Sequence, residues 1–150
     1  TGRHGDDRHH DGHAQPRSGE HQRRQDREGG EGGGGRELVE RVARLEAPFF
    51  GALASLRANP AVGDIRGRGF LAAIEFVADR ETRQPFDRAH RFAERFAGRA
   101  FANGLIVWPN AGNVDGTNGD LVIVAPPFTT TEEELEEIVR RLDRTLKEMT

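Results

Sequence analysis

The chain has 150 residues, with 22 Lys and Arg against 25 Asp and Glu, so no excess of positive charge recommends nucleic acid or an anionic membrane as a partner. It contains no cysteine, which excludes a disulfide framework, a thiolate nucleophile and a cysteine metal site. No apolar run approaches the roughly 18–20 residues that span a bilayer, and no signal-peptide core follows the N-terminus, so a soluble, cytoplasmic protein is expected.

The composition changes sharply along the chain. From Thr1 to Gly35 the only apolar residue is Ala14, and the stretch carries ten Gly, six Arg, seven Asp or Glu and five of the six His. Such a segment buries too little apolar surface to offset its ordering entropy, so residues 1–35 are expected to be a disordered tail and 36–149 the folded unit.

Within the folded unit, Leu38, Val42, Leu45, Phe49, Leu53 and Leu56 recur at three- and four-residue steps and predict one helix. Pro48 inside it predicts a kink or a split, and Asn59-Pro60 its end. Val62–Arg66 and Phe70–Val77 read as strands joined by a tight bend at Gly67-Arg68-Gly69. Asp79–Pro85 is turn-like. Asp87 is the expected N-cap of a helix whose face is Phe92, Phe96, Ala100 and Phe101, with Asn103-Gly104 as its C-terminal stop. Leu105–Trp108 and Leu121–Val124 read as short strands. A capping box from Thr130 to Glu133 opens a final helix with the stripe Leu135, Ile138, Val139, Leu142 and Leu146. The predicted class is α+β, a small sheet of three or four strands with helices packed on one side.

Three groups of residues invite a chemical reading. Gly67-Arg68-Gly69-Phe70-Leu71-Ala72 fits G-x-G-x-x-A, but that motif needs a helix after it to present N–H groups to a pyrophosphate, and a strand follows here; a glycine bend between strands is the expectation. His9 and His13, with His4, His10 and His21 nearby, have spacing compatible with a metal, although no apolar residue anchors a helix there. Glu132, Glu133, Glu134, Glu136 and Glu137 form an acidic cluster that helix capping and solvation explain. Ser18 lies in the tail, Ser55 in the first helix, and His90 has no evident partner, so no nucleophilic triad is expected.

Several segments in series resemble one family. Asn59-Pro60-Ala61-Val62-Gly63-Asp64-Ile65-Arg66-Gly67-Arg68-Gly69-Phe70-Leu71-Ala72-Ala73-Ile74-Glu75 resembles the "VRGRGL…GIE" segment of class III aminotransferases. Asn103-Gly104-Leu105-Ile106-Val107 resembles their "GLIV" strand. Gly119-Asp120 through Ala125-Pro126-Pro127-Phe128 resembles their "GD…APP" block, and the Thr/Glu-rich opening of the last helix also matches. Order and spacing agree over about 36–149.

The resemblance implies the C-terminal small domain of a fold-type-I enzyme that uses pyridoxal phosphate to move an amino group between an amine and a keto acid, typically as a dimer. In that family an upstream domain supplies the cofactor site and its Schiff-base lysine. The only lysine here, Lys147, matches no such position, so no catalytic or cofactor-binding residue, and no cofactor, is expected of this chain alone. Where relatives acting on α-amino acids place a carboxylate-binding arginine, three residues before the double proline, this sequence has Ile123. That substrate-adjacent position implies the ω-amine:pyruvate type, acting on amines or ω-amino acids; a strand residue pointing into the core is the other reading of Ile123.

The tail departs from the family. Its composition resembles an out-of-frame reading of a GC-rich gene that rejoins the true frame near Arg36. The expectation is therefore a fragment, inactive by itself. The alternatives are a non-catalytic module that associates with an intact aminotransferase subunit, or a metal-binding protein built on the His-rich tail.

Overall fold

The computed structural model describes residues 32–149. The chain divides into two units, Thr1–Gly35 and Arg36–Thr150, and the architecture below is that of the second. The described residues form three α-helices and a four-stranded antiparallel sheet.

Helix α1 spans Gly32–Ala54. It begins inside the stretch expected to be tail, because each residue added to an existing helix gains a backbone hydrogen bond without a new nucleation cost. The rest of that tail lies outside the described residues. Val42, Leu45, Phe49 and Leu53 line its buried side, and Leu56 extends the stripe into a 3-10 turn, Ser55–Ala58. Pro48 neither ends nor divides the helix. Both Pro48 and Arg44 are exposed, so the Arg44 carbonyl that loses its helical donor lies on the solvent side.

Strands β1 (Val62–Arg68) and β2 (Leu71–Phe76) form a hairpin across Gly69-Phe70. The register shifts between Val62 and Asp64, and this bulge lets Val62 and Ile65, three residues apart, both face the core. After the Asp79–Gln84 turn, helix α2 covers Phe92–Ala102, strand β3 Trp108–Asn110, strand β4 Asp120–Val124 and helix α3 Glu132–Lys147. Sheet order is β1-β2-β4-β3. Ala72, Ile74, Phe76, Val122 and Val124 point toward the helices and share one apolar cluster with Phe49, Phe96, Leu142 and Leu146.

Four sequence expectations are corrected. Asp87 caps the 3-10 turn Arg88–His90 by accepting the Ala89 N–H at 2.8 Å, whereas α2 starts after Arg91 in a left-handed conformation. Phe101 is exposed rather than on the buried face of α2. Leu105–Val107 is not strand. The helix stop engages the Leu105 N–H with the Ala100 carbonyl, so the chain leaves as an extended connector and pairs only from Trp108. The capping box is Thr131 with Glu134, one residue beyond the expected pair. Thr130 is instead buried, and its carbonyl accepts the Arg41 guanidinium at 3.0 Å.

Candidate functional site on the helix-free face of the sheet

Alternation along the strands sends every second side chain to the face without helices. Register places Arg66 beside Ala73, Ala73 beside Ile123 and Ile123 beside Trp108, a single row across all four strands. The next row runs Asp64, Glu75, Leu121, Asn110. Ile123 therefore does not point into the main core: it is half-buried between Val122 and Val124, which do. Trp108 is 70% exposed.

Charge is confined to the β1 end. Arg66 bonds both Glu75 and Asp64, the latter at 3.2 Å, and the Glu75 contact raises the Arg66 pKa. Arg57 reaches Asp64 at 3.2 Å and the Ile65 carbonyl at 2.9 Å, which occupies an edge acceptor of the outer strand. These groups, with Arg83, line a polar cleft of about 450 Å³. Its carboxylates are paired with arginine, and it contains no nucleophile. The apolar end of the row is Ile123 and Trp108.

The glycine motif serves the hairpin. Gly67 has φ 155°, and a Cβ there would sit 2.0 Å from the Leu71 carbonyl oxygen. A strand, β2, follows it, so no helix N-terminus is present to receive a pyrophosphate. The acidic cluster is absorbed in helix geometry: Glu134 accepts the Thr131 N–H at 2.8 Å, and Glu137 accepts Arg140 at 2.9 Å and Arg141 at 2.7 Å. No group of His, Asp and Glu among the described residues could hold a metal ion. Ser55 donates to the Ala52 carbonyl at 2.7 Å, and the His90 ring lies edge-on to Phe86. Ser18 and the histidines at 4, 9, 10, 13 and 21 lie outside the described residues.

Lys147 is on the last turn of α3, 71% exposed, with its ammonium 2.6 Å from Asp143. That amine faces solvent and is held by a carboxylate, unlike the enclosed amine that Schiff-base formation calls for.

Sequence reasoning missed Trp108 as the neighbour of Ile123, and Asp120 as a buried anchor. Alternation from buried Leu105 and Val107 would have put Trp108 on the outer face. Asp120, by contrast, acts across 27 residues on Ala93, which no local pattern reveals.

The chain resembles known proteins over the same region. The family model "Aminotransferase class-III" matches residues 35–146. The uncharacterized aminotransferase YhxA of Bacillus subtilis is 40% identical over 104 residues, 69% of this chain and 22% of that protein. A pyridoxal-phosphate-bound aminotransferase mutant from Vibrio fluvialis superposes with a TM-score of 0.66 at 33% identity, covering 74% of this chain and 23% of that one. An omega-aminotransferase from Paracoccus denitrificans gives 0.64 at 32% identity, with coverage of 74% and 23%. The chain spans about a fifth of the length of curated relatives such as YodT, where the share is 19%, and YhxA, where it is 22%. No helix among the described residues is long and apolar enough to cross a membrane.

Proposed function

The chain belongs to the class III aminotransferases, and on that premise we propose that it is the C-terminal part of a longer pyridoxal-phosphate enzyme that moves an amino group from an amine or ω-amino acid to a keto acid. By itself it does not catalyse the reaction. The observation that carries this reading is the placement of Lys147, the sole lysine, exposed and ion-paired on the terminal helix. The Schiff-base lysine and the cofactor site belong to the rest of the enzyme. What this part contributes is a shaped wall: Ile123 adjoins the substrate and offers no guanidinium to a carboxylate.

The enzyme is proposed to be a cytoplasmic dimer whose remaining domain covers the helix-free face. Residues 1–35 are read as out of frame, and resequencing the locus tests that point. A second reading, a non-catalytic module bound to an intact aminotransferase subunit, draws on the same open face, where Leu71 and Trp108 are exposed. Co-expression with the cofactor-binding portion of the longer enzyme separates the two. Recovery of transfer from an amine to pyruvate is expected; a stable complex with no activity would favour the module and remove the leading reading.

A further inference from the structure

We propose that side chains standing in for a neighbouring strand hold the outer edge of β1 shut, so that Arg57, Asp64 and Arg80 form an autoinhibitory contact against pairing with β1 of a second copy of this chain.

β1 is a terminal strand of the sheet, and an antiparallel strand turns the N–H and carbonyl of every second residue away from its partner. The hairpin closes with Arg68 opposite Leu71, so Arg68, Arg66 and Asp64 direct these groups to β2 and Ile65 directs its pair outward. The bulge resets the alternation. Beyond it the Val77 N–H bonds the Ala61 carbonyl at 2.9 Å, which leaves Val62 with the outward pair. Open pairs of this kind are the template on which another strand adds.

Both outward pairs are taken. The Ile65 carbonyl accepts Arg57 at 2.9 Å, and its N–H is accepted by the Asp64 carboxylate, which lies 3.2 Å from the same guanidinium. An arginine–carboxylate pair thus offers Ile65 one donor and one acceptor, as a strand would. At Val62 the N–H donates to the Asn59 carbonyl at 3.1 Å, and the carbonyl accepts Arg80 Nε at 3.1 Å. Arg80 also bonds the Asn59 carbonyl, which ties its guanidinium across the edge. Further along, the Phe50 ring crowds Gly67, where a Cβ would stand 2.9 Å from it.

The opposite edge of the sheet has less to protect. β3 is three residues long with Pro109 at its centre, whereas β1 runs for seven residues without proline. β1 also suits a copy of itself. In an antiparallel pair centred on Ile65, Arg66 of each strand would stand opposite Asp64 of the other, two pairs of opposite charge.

The test is amide hydrogen exchange of the purified chain over a range of protein concentrations, read at Ile65 and across residues 62–68. In the wild type, protection there should not depend on concentration. In Arg57→Ala/Arg80→Ala, exchange at Ile65 should slow about tenfold or more from dilute to concentrated solution, with the sedimenting mass rising in step. Arg57→Ala and Arg80→Ala singly should each show a smaller slowing, so the result does not depend on the folding of the double variant. Arg44→Ala/Arg95→Ala removes the same charge from two exposed arginines elsewhere and should show none. Exchange at Ile65 that stays independent of concentration in all three edge variants would overturn the proposal. Equal slowing in the control pair, or protection gained only outside β1, would overturn it too.

Discussion

Asp120 on β4 accepts the backbone N–H of Ala93, in the first turn of α2, at 3.2 Å. Arg91 offers that helix no side-chain cap, so a strand residue supplies one from 27 positions away. Arg88 closes the arrangement, bonding Glu94 and standing 3.5 Å from Asp120. The Gly-Asp pair of the family resemblance therefore has a structural reason: Gly119 takes φ 102°, and Asp120 locks sheet to helix.

Removing that carboxylate should be costly. Asp120 is fully buried, and truncation strands the Ala93 N–H and removes one of the two carboxylates beside Arg88. Asp120→Ala is expected to lose about 3 kcal/mol in urea denaturation, and Asp120→Asn distinctly less because an acceptor remains. Equal stabilities for the wild type and the alanine variant would contradict the assignment.

Acid should weaken the same corner. The bond from Arg88 holds the Glu94 carboxyl down to about 2 from its ordinary 4.5. A depressed carboxyl contributes stability that is complete above the unfolded value and is lost as pH falls through the folded one. Glu94 is 30% exposed, so solvent screening leaves a contribution of about 2 kcal/mol, which should disappear between pH 4.5 and 2. Glu94→Gln should flatten the melting temperature across that window; an unchanged slope would show that other carboxylates dominate.

Two glycines should respond oppositely to alanine. Gly67→Ala drives a Cβ into the Leu71 carbonyl at a positive φ and is expected to cost about 3 kcal/mol or more. Gly51 lies in α1 with open space around its would-be Cβ, so Gly51→Ala should gain about 0.5–1 kcal/mol. Thermal melts of both variants check the pair; a tolerated Gly67→Ala would mean that the hairpin can shift to accommodate it.

Much of the fold was legible because its apolar stripes are regular. Val42 to Leu53 and Leu135 to Leu146 show the helix period, and the runs at Ile74 and Val122 end at turn residues. The errors fell where two local solutions compete. Three threonines followed by three glutamates allow two capping registers, and the tertiary bond from Arg41 to the Thr130 carbonyl accompanies the later one. Leu105 to Trp108 is apolar enough for a strand, yet the closing hydrogen bonds of α2 occupy its first N–H. At the site, the resemblance pointed to Ile123, but its neighbour is a matter of cross-strand register. Pairing with Trp108 depends on a connection of nine residues between β3 and β4, too long for its turn geometry to be read from sequence.

The register of the cap is itself testable. Thr131→Ala should lose about 1 kcal/mol because the Glu134 N–H loses its acceptor, while Glu133→Ala should change stability by less than about 0.5 kcal/mol. The reverse order in chemical denaturation would restore the register expected from sequence.

The proposed function gives this chain the fold of a class III aminotransferase segment without the cofactor chemistry. The most direct measurement is an absorption titration of the purified chain with pyridoxal phosphate. No stoichiometric Schiff-base band is expected, and no difference between the wild type and Lys147→Ala. A one-to-one band that disappears in Lys147→Ala would contradict it.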